Sequence, residues 1–442
     1  MVRFYKPIAL PSPRDQLDIT VAILRNRQTE EYYAYENNDT WNIGLRSHAS
    51  LVIDAHGKKA TTIDRHGRRE THSIHEPIND MARAFSLEHS AHGKVFGQVG
   101  FNYSAHISGQ AYIPGQWPML SLMAPCVQVA ISRNGVTVTG HDEDEARAVF
   151  DLIQTHRTGG NTHPVPDCFM SIDLEAHPDD YKTRVARAVS EINKGRFTKV
   201  VPSHIVRLPI RVDMLATLYH GRRANTPART FALSHAGIEA IGFSPEVSLS
   251  VHGHVAFTEA LAGTRLLDAV DMKKLTHPLL ADPKEVLEHV GAIKGSIARL
   301  SRLCSPDSIA VKDFMSVVHR GNVHHLFSHV TGCMLPGKDG WDALAGLNIT
   351  VPGLADEENL EAIRVFEPRP RELYCGSVLM LDGAEAFEAA LALRAIFQDH
   401  DRQWLQAGAG VTSLSDPERE FAEVCEKLSS VAPYVVGQTG SS

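Results

Sequence analysis

The chain has 442 residues, with 44 Lys and Arg against 52 Asp and Glu, a formal net charge of −8. Hydrophobic residues make up 43% and charged residues 22%, the balance of a globular protein with ample core, in one or two domains. The acidic balance offers no basic field to grip a phosphate backbone, which excludes nucleic acid as an expected partner. No apolar run reaches the roughly 18 residues that span a bilayer, so no membrane association is expected. The first residues, MVRFYKPIALPSPRDQ, lack a basic stretch followed by an apolar one, so the cytoplasm is the expected location. Cysteines 126, 168, 304, 333, 375 and 425 form no CxxC pair and read as buried, reduced thiols.

In chain order, residues 1–150 read as short strands with turns between them. Ser50–Asp54, Lys94–Phe101 and Val127–Val138 alternate as antiparallel strands do, and helices are expected near Asn79–Glu88 and Asp144–Thr155. A loop rich in Gly, Asn, His and Pro (Thr158–Asp167) marks a boundary near 165. The predicted organisation is a strand-rich region 1–165, a second region 166–436, and a loose tail 437–442. Asp179–Lys194 is a helix with Tyr181, Val185, Ala188, Val189 and Ile192 on one face. Phe197–Leu208 and Thr230–His235 follow as strands, then Gly242–Val251 and His254–Thr258 as a pair joined at Gly253. A long helix runs from Asp282 to about Leu303, and another from Ser415 or Asp416 to about Leu428.

The last two helices open alike, with Asp as N-cap and Pro at the first helical position. Each carries two glutamates three residues apart, Glu285 with Glu288 and Glu420 with Glu423. That spacing puts both carboxylates of a pair on one helix face. Two such faces brought together make an oxygen-rich site suited to Mg²⁺. Lys427 lies four residues beyond Glu423 on the same face, where it would offset the charge or reach an anionic ligand. On spacing alone, solvated helix faces remain the more ordinary reading.

Eight segments of the second half together resemble the chorismate-utilising enzymes, which include anthranilate, aminodeoxychorismate, isochorismate and salicylate synthases. They are Phe197–Val201 (FTKVV), Gly242–Glu246 (GFSPE), Thr258–Arg265 (TEALAGTR), Lys284–His289 (KEVLEH), Arg320–Leu326 (RGNVHHL), Glu372–Gly376 (ELYCG), Ala407–Gly410 (AGAG) and Glu418–Leu428 (EREFAEVCEKL). Each is weak alone, AGAG in particular being only a flexible turn. The resemblance implies a single large α+β unit of two face-packed antiparallel sheets flanked by helices, with the active site in the cleft between the sheets.

What the resemblance implies for residues follows position by position. Glu288 and Glu423 match the family's direct Mg²⁺ ligands, and Glu285 and Glu420 match those holding its waters. Lys199 matches the water-activating base. Glu246 matches the general acid that protonates the departing hydroxyl, a role that calls for surroundings that keep its proton on near neutral pH. Tyr374 and Arg394, with the backbone at Gly408, match the clamp on the enolpyruvyl carboxylate of chorismate. Thr264, His325, Thr350 and Lys427 match positions lining the ring or its carboxylate, His325 being preferred to His324 by its distance to Leu326.

Members that add ammonia tend to carry Gln where this chain has Lys199, and they work with a glutaminase. No glutaminase segment is visible here, so water addition without a glutaminase subunit is expected, by a monomer. Segments Asn225–Phe231, Asp313–Met315 and Glu418–Tyr434 resemble the salicylate-forming members most closely. Conversion of chorismate through isochorismate to salicylate and pyruvate is therefore expected. The alternatives are an enzyme that stops at isochorismate, an ammonia-using aminodeoxyisochorismate-type enzyme, and a non-catalytic chorismate-binding relative. Four positions depart from the family pattern: Glu372 for Gly, Ala260 for Pro, Pro283 for a small polar residue, and Ala355 for Pro. Glu372 would add an anion near the carboxylate clamp.

Overall fold

The computed structural model describes residues 1–7, 13–64, 66–157, 165–266, 276–320, 323–347, 356–367, 369–383 and 386–438. Within them nineteen strands pair antiparallel, and the pairing is continuous through two long bent strands, Thr40–Ile53 and Leu120–Ser132. Their register shifts between Ser47 and Ala49, beside Arg46 at a φ of 54°. A bulge of this kind bends and twists a ladder, and here it divides one network into two faces.

On one side of the bend the order is Ser203–Arg207, Gln403–Gly408, Ala395–Gln398, Ile238–Ser244, Arg229–His235, Tyr32–Asn37, then one half of the bent pair, Gly135–Gly140 and Val2–Pro7. On the other it is Arg69–Ser73, Lys59–Ile63, the other half of the bent pair, Lys94–Val99, Ser377–Asp382, Ala386–Leu391, Val247–His252, Val255–Leu266, Val323–Cys333 and Ala310–Arg320. Strands from the first 140 residues and strands after residue 229 are thus neighbours in both halves.

Three apolar clusters hold these layers. Tyr33, Phe96, Met123, Phe231, Met380 and Phe397 fill the space between the two sheets, and Tyr33 stacks on Phe96 across it at 6.1 Å. Outside the first sheet lie helices Pro13–Asn26, Glu143–Arg157, Pro178–Asn193, Met214–Ala224 and Pro417–Ser429. Outside the second lie Ile78–Ser90, Pro283–Leu300 and Gly340–Leu347. The helix Pro178–Asn193 shows the cause: Tyr181, Val185, Ala188 and Ile192 recur at helical spacing and are buried. Each such large side chain contributes roughly 1.5–3 kcal/mol by leaving water. The arrangement is the α+β fold expected, two sheets face to face with helices outside.

Several sequence expectations need correction. The strand expected over Phe197–Leu208 is only Ser203–Arg207; before it Val200 makes a single bridge to Val411. The expected strand Gly242–Val251 is interrupted at Pro245–Glu246, between strands ending at Ser244 and starting at Val247. Gly253, at a φ of 56°, turns the following hairpin as expected. All six cysteines are free, but Cys168 and Cys333 are exposed rather than buried. Gly437, assigned to the tail, bridges Val212. Among the described residues no helix is long and apolar enough to cross a membrane.

Candidate active site

Both acidic helices begin as their sequences dictate. The Asp282 side chain accepts from the Lys284 amide and opens Pro283–Leu300; the Asp416 side chain accepts from the Glu418 and Arg419 amides and opens Pro417–Ser429. Their N-terminal halves meet, with Lys284 3.8 Å from Glu420, and flank a cavity of about 150 Å³ between the sheets. Glu285, Glu288, Glu423 and Lys427 line it from these helices, Thr264 and His325 from one sheet, and Gly408 and Arg394 from the other. Lys199, Glu246 and Tyr374 complete its wall. Glu420 is buried behind it, and Thr350 lies outside the described residues.

Lys199 owes its position to buried polar contacts rather than to a strand. Arg371, 1% exposed, forks onto Glu367 at 2.6 and 2.8 Å and donates to the Val201 carbonyl at 2.5 Å. Glu367 also accepts from the Ser203 amide at 2.6 Å. The Val200–Val411 bridge then sets Lys199 against Gly410. A Cβ on Gly410 would lie 2.7 Å from Lys199 Cε and 3.0 Å from Glu288 Oε1. One on Gly408 would lie 2.7 Å from the Pro202 carbonyl and 3.2 Å from the Tyr374 hydroxyl. The AGAG segment is therefore a close-approach surface, and the expectation of a merely flexible turn is corrected.

The four glutamates are each engaged. Lys199 Nζ donates to Glu288 Oε1 at 2.8 Å, and Lys427 Nζ pairs with Glu423 Oε1 at 2.8 Å and with the Gly408 carbonyl at 2.9 Å. Lys284 lies 3.8 Å from Glu420, and Glu285 accepts from the Thr264 amide at 2.9 Å. Among the described residues no three His, Cys, Asp or Glu side chains converge closely enough to hold an ion. The donor chemistry still fits a hard divalent cation. Burial, and then the charges of Glu288 and Glu423, push the Glu285 carboxyl up, and Glu420 Oε2 is buried with no hydrogen-bond partner.

The opposite wall differs. Glu246 is 7% exposed, and burial followed by the charge of Glu259 pushes its carboxyl up to about 8. It therefore holds its proton at neutral pH. His325 shares a 2.9 Å hydrogen bond with the Thr264 hydroxyl, while burial and the charges of Arg394, Lys427 and Arg320 hold its imidazole well below 6.5, so the ring is neutral. His324 is fully buried beside His319 and does not line the cavity. Burial brings the Arg394 guanidinium down to about 10, still a cation at neutral pH, and Nη1 donates to Ser430 at 2.9 Å.

Glu372 does not enter the cavity. It is buried elsewhere, accepting from the Gln116 and Trp117 amides at 3.1 and 3.0 Å and pairing with Arg402 at 2.7 Å. The anion expected near the carboxylate clamp thus anchors the segment around Trp117 instead. A larger groove of about 900 Å³ follows the edge strand Ser203–Arg207, where Arg184, Arg207 and Arg369 face Asp173, Asp180 and Glu367.

A cavity with a lysine and a protonated carboxyl on its wall, and two acidic helix starts at its end, coincides with a family match. Residues 30–433 match the model of the chorismate binding enzymes. The chain belongs to that family. It is 32% identical to the salicylate synthase of Mycolicibacterium paratuberculosis over 98% of this chain and 96% of that protein. It is also 32% identical to anthranilate synthase component 1 of Spirochaeta aurantia, over 83% of this chain and 82% of that one. Among solved structures, the menaquinone-specific isochorismate synthase MenF of Escherichia coli shares the fold, with a TM-score of 0.73, 20% identity, and coverage of 98% and 94%.

Within this family member, sequence reasoning overlooked Lys284, Gly410 and Glu259. Lys284 stood inside a quoted segment beside Glu285, and its positive charge was the available signal. Gly410 was visible but its crowding was not. Glu259 bears on Glu246 from the neighbouring strand, where it accepts from the Val247 amide, a placement no local pattern reveals.

Proposed function

We propose that this chain is a Mg²⁺-dependent salicylate synthase that adds water to chorismate and carries the resulting isochorismate on to salicylate and pyruvate. The observation that carries the reading is Lys199 on the wall of the same cavity as a Glu246 that keeps its proton. Identity to a salicylate synthase along nearly the whole of both chains supports the choice of product.

Lys199 Nζ takes a proton from water as the oxygen bonds to a ring carbon. The ring double bonds shift, and Glu246 gives its proton to the hydroxyl leaving from another ring carbon, which departs as water. Lys199 is occupied by Glu288 as found here, so the base must first be released from that carboxylate. Arg394 offers a forked cation to the enolpyruvyl carboxylate, with the Tyr374 hydroxyl and the close-approach backbone at Gly408 beside it. Thr264, neutral His325 and Lys427 line the place of the ring, and Thr350 joins them by resemblance. Glu285, Glu288, Glu420 and Glu423 are the residues that would hold Mg²⁺, which when bound polarises the ring carboxylate as a Lewis acid. In the second step the ring–oxygen ether bond breaks as the hydrogen on the ring carbon that bears the new hydroxyl passes to the enolpyruvyl methylene, which releases pyruvate and leaves the ring aromatic; this needs mainly a pocket that holds ring and ether in a reactive pose.

Purified protein with chorismate and Mg²⁺, without ammonium, tests this directly. Salicylate fluorescence and pyruvate should rise together and vanish with EDTA. Isochorismate without pyruvate would reduce the assignment to an isochorismate synthase. Chorismate binding with no turnover under either nitrogen or water supply would leave a binding relative.

A further inference from the structure

The groups behind Glu246, on the side away from the cavity, form a chain that the reaction as described does not use. Glu259, 8% exposed, accepts from the Val247 amide at 2.7 Å, the backbone N–H that immediately follows Glu246. Across the ladder His329 is its direct register partner, with Nε2 at 3.7 Å from Glu259 Oε1. On the next strand Asp313 receives His329 Nδ1 at 2.8 Å.

That last contact is built at a cost. The register of Ala310–Arg320 against Val323–Cys333 breaks between Lys312 and Ser316, and both Asp313 and Met315 take left-handed backbone, at φ of 50° and 54°. The bulge throws Phe314 outward, 61% exposed, and turns Asp313 onto the imidazole. The Met315 amide is secured on Ser328 Oγ at 3.0 Å, and the rings of Phe257 and Phe327 hold His329 edge-on at 5.7 and 4.6 Å. A strained bulge, an aromatic clamp and a register pair all serve one imidazole between two carboxylates.

Resting on the reading of Glu246 as the general acid, we propose that Glu259 and His329, oriented by Asp313, are positioning residues that set how strongly Glu246 holds its proton. Glu259 places a buried negative charge behind Glu246, and His329 partly cancels it when protonated. The pairing with Glu259 and then the hydrogen bond to Asp313 raise the His329 imidazole above its ordinary value, so this cancellation fades as pH rises. The remaining charges near the pair are cations. Arg299 acts on Glu246; Arg229, locked bidentate on Glu388 at 2.6 and 3.0 Å, acts with Arg320 on Glu259. Arg320 is itself tied to the Pro245 carbonyl at 3.1 Å.

The pH profile of kcat under saturating chorismate and Mg²⁺ tests the proposal in three variants. Glu259→Gln keeps an acceptor for the Val247 amide and removes the charge, so the alkaline limb should move to lower pH by about one unit. His329→Gln leaves Glu259 uncancelled, so the limb should move the other way by a smaller amount. Opposite shifts support the account; an unmoved limb in either variant, or shifts in the same direction, overturns it. Glu246→Gln separates this from the underlying reading. Loss of turnover there upholds Glu246 as the acid whatever the other two do, whereas retained turnover with the wild-type limb refutes that reading itself.

Discussion

Two ends of one cavity treat the same side chain in opposite ways. At the helix end, burial would raise Glu423, but Lys427, paired at 2.8 Å, together with Lys284 and Arg419 holds it below the ordinary carboxylate range. At the far wall, burial of Glu246 and the charge of Glu259 behind it outweigh the opposing charge of Arg299 and push its carboxyl up to about 8. Glutamate is thus a ligand-type anion in one place and a neutral acid in the other, within about 150 Å³. Environment, more than residue type, assigns the role.

The largest effect should come from the residue that bridges the two ends. Lys199→Gln is expected to lower kcat by about 10³-fold or more while chorismate binding, followed by fluorescence or calorimetry, changes little. Retained turnover would remove the lysine from the chemistry. Next, Gly410→Ala should lower kcat by about 10²-fold, because the added methyl displaces Lys199 and Glu288 rather than unfolding the chain. An unchanged rate with an unchanged melting temperature would show that the crowding is harmless.

The pH dependence sharpens the contrast further. In its proposed role Glu246 acts as the protonated form, so kcat should fall tenfold per unit once pH rises well above about 8, and level off about one unit or more below it. A limb set nearer the ordinary glutamate value would mean that the far wall is not as dry as its burial implies. The smallest effect is on stability. Burial raises the Glu420 carboxyl above its unfolded value, so its ionisation opposes folding at neutral pH. Glu420→Gln should therefore raise the metal-free melting temperature by about 1–2 °C, and lessen the further rise that Mg²⁺ brings.

How far the sequence foretold this depends on the range of the interactions. The N-caps Asp282 and Asp416, the prolines after them and the glutamate spacing are local, and both helix starts were legible from them. Alternating strands were legible for the same reason, and the resemblance ordered them into a fold. The ends of Phe197–Leu208 were not, because Val201 and Ser203 are held by Arg371 and Glu367 from far along the chain. Nor was the course of Glu372, whose partners Trp117 and Arg402 lie on either side of it in sequence by long intervals. Composition likewise misjudged Cys168 and Cys333, since a thiol's burial follows from the tertiary surface around it.

In the proposed reaction water, not ammonia, is the nucleophile, and turnover runs through to the aromatic product. Turnover of chorismate with Mg²⁺ in water enriched in the heavy oxygen isotope tests it most directly. Mass spectrometry should find one solvent oxygen in the salicylate hydroxyl, with an equal amount of pyruvate released. Product carrying no solvent oxygen, or an aromatic amine formed once ammonium is supplied in preference to salicylate, would contradict it.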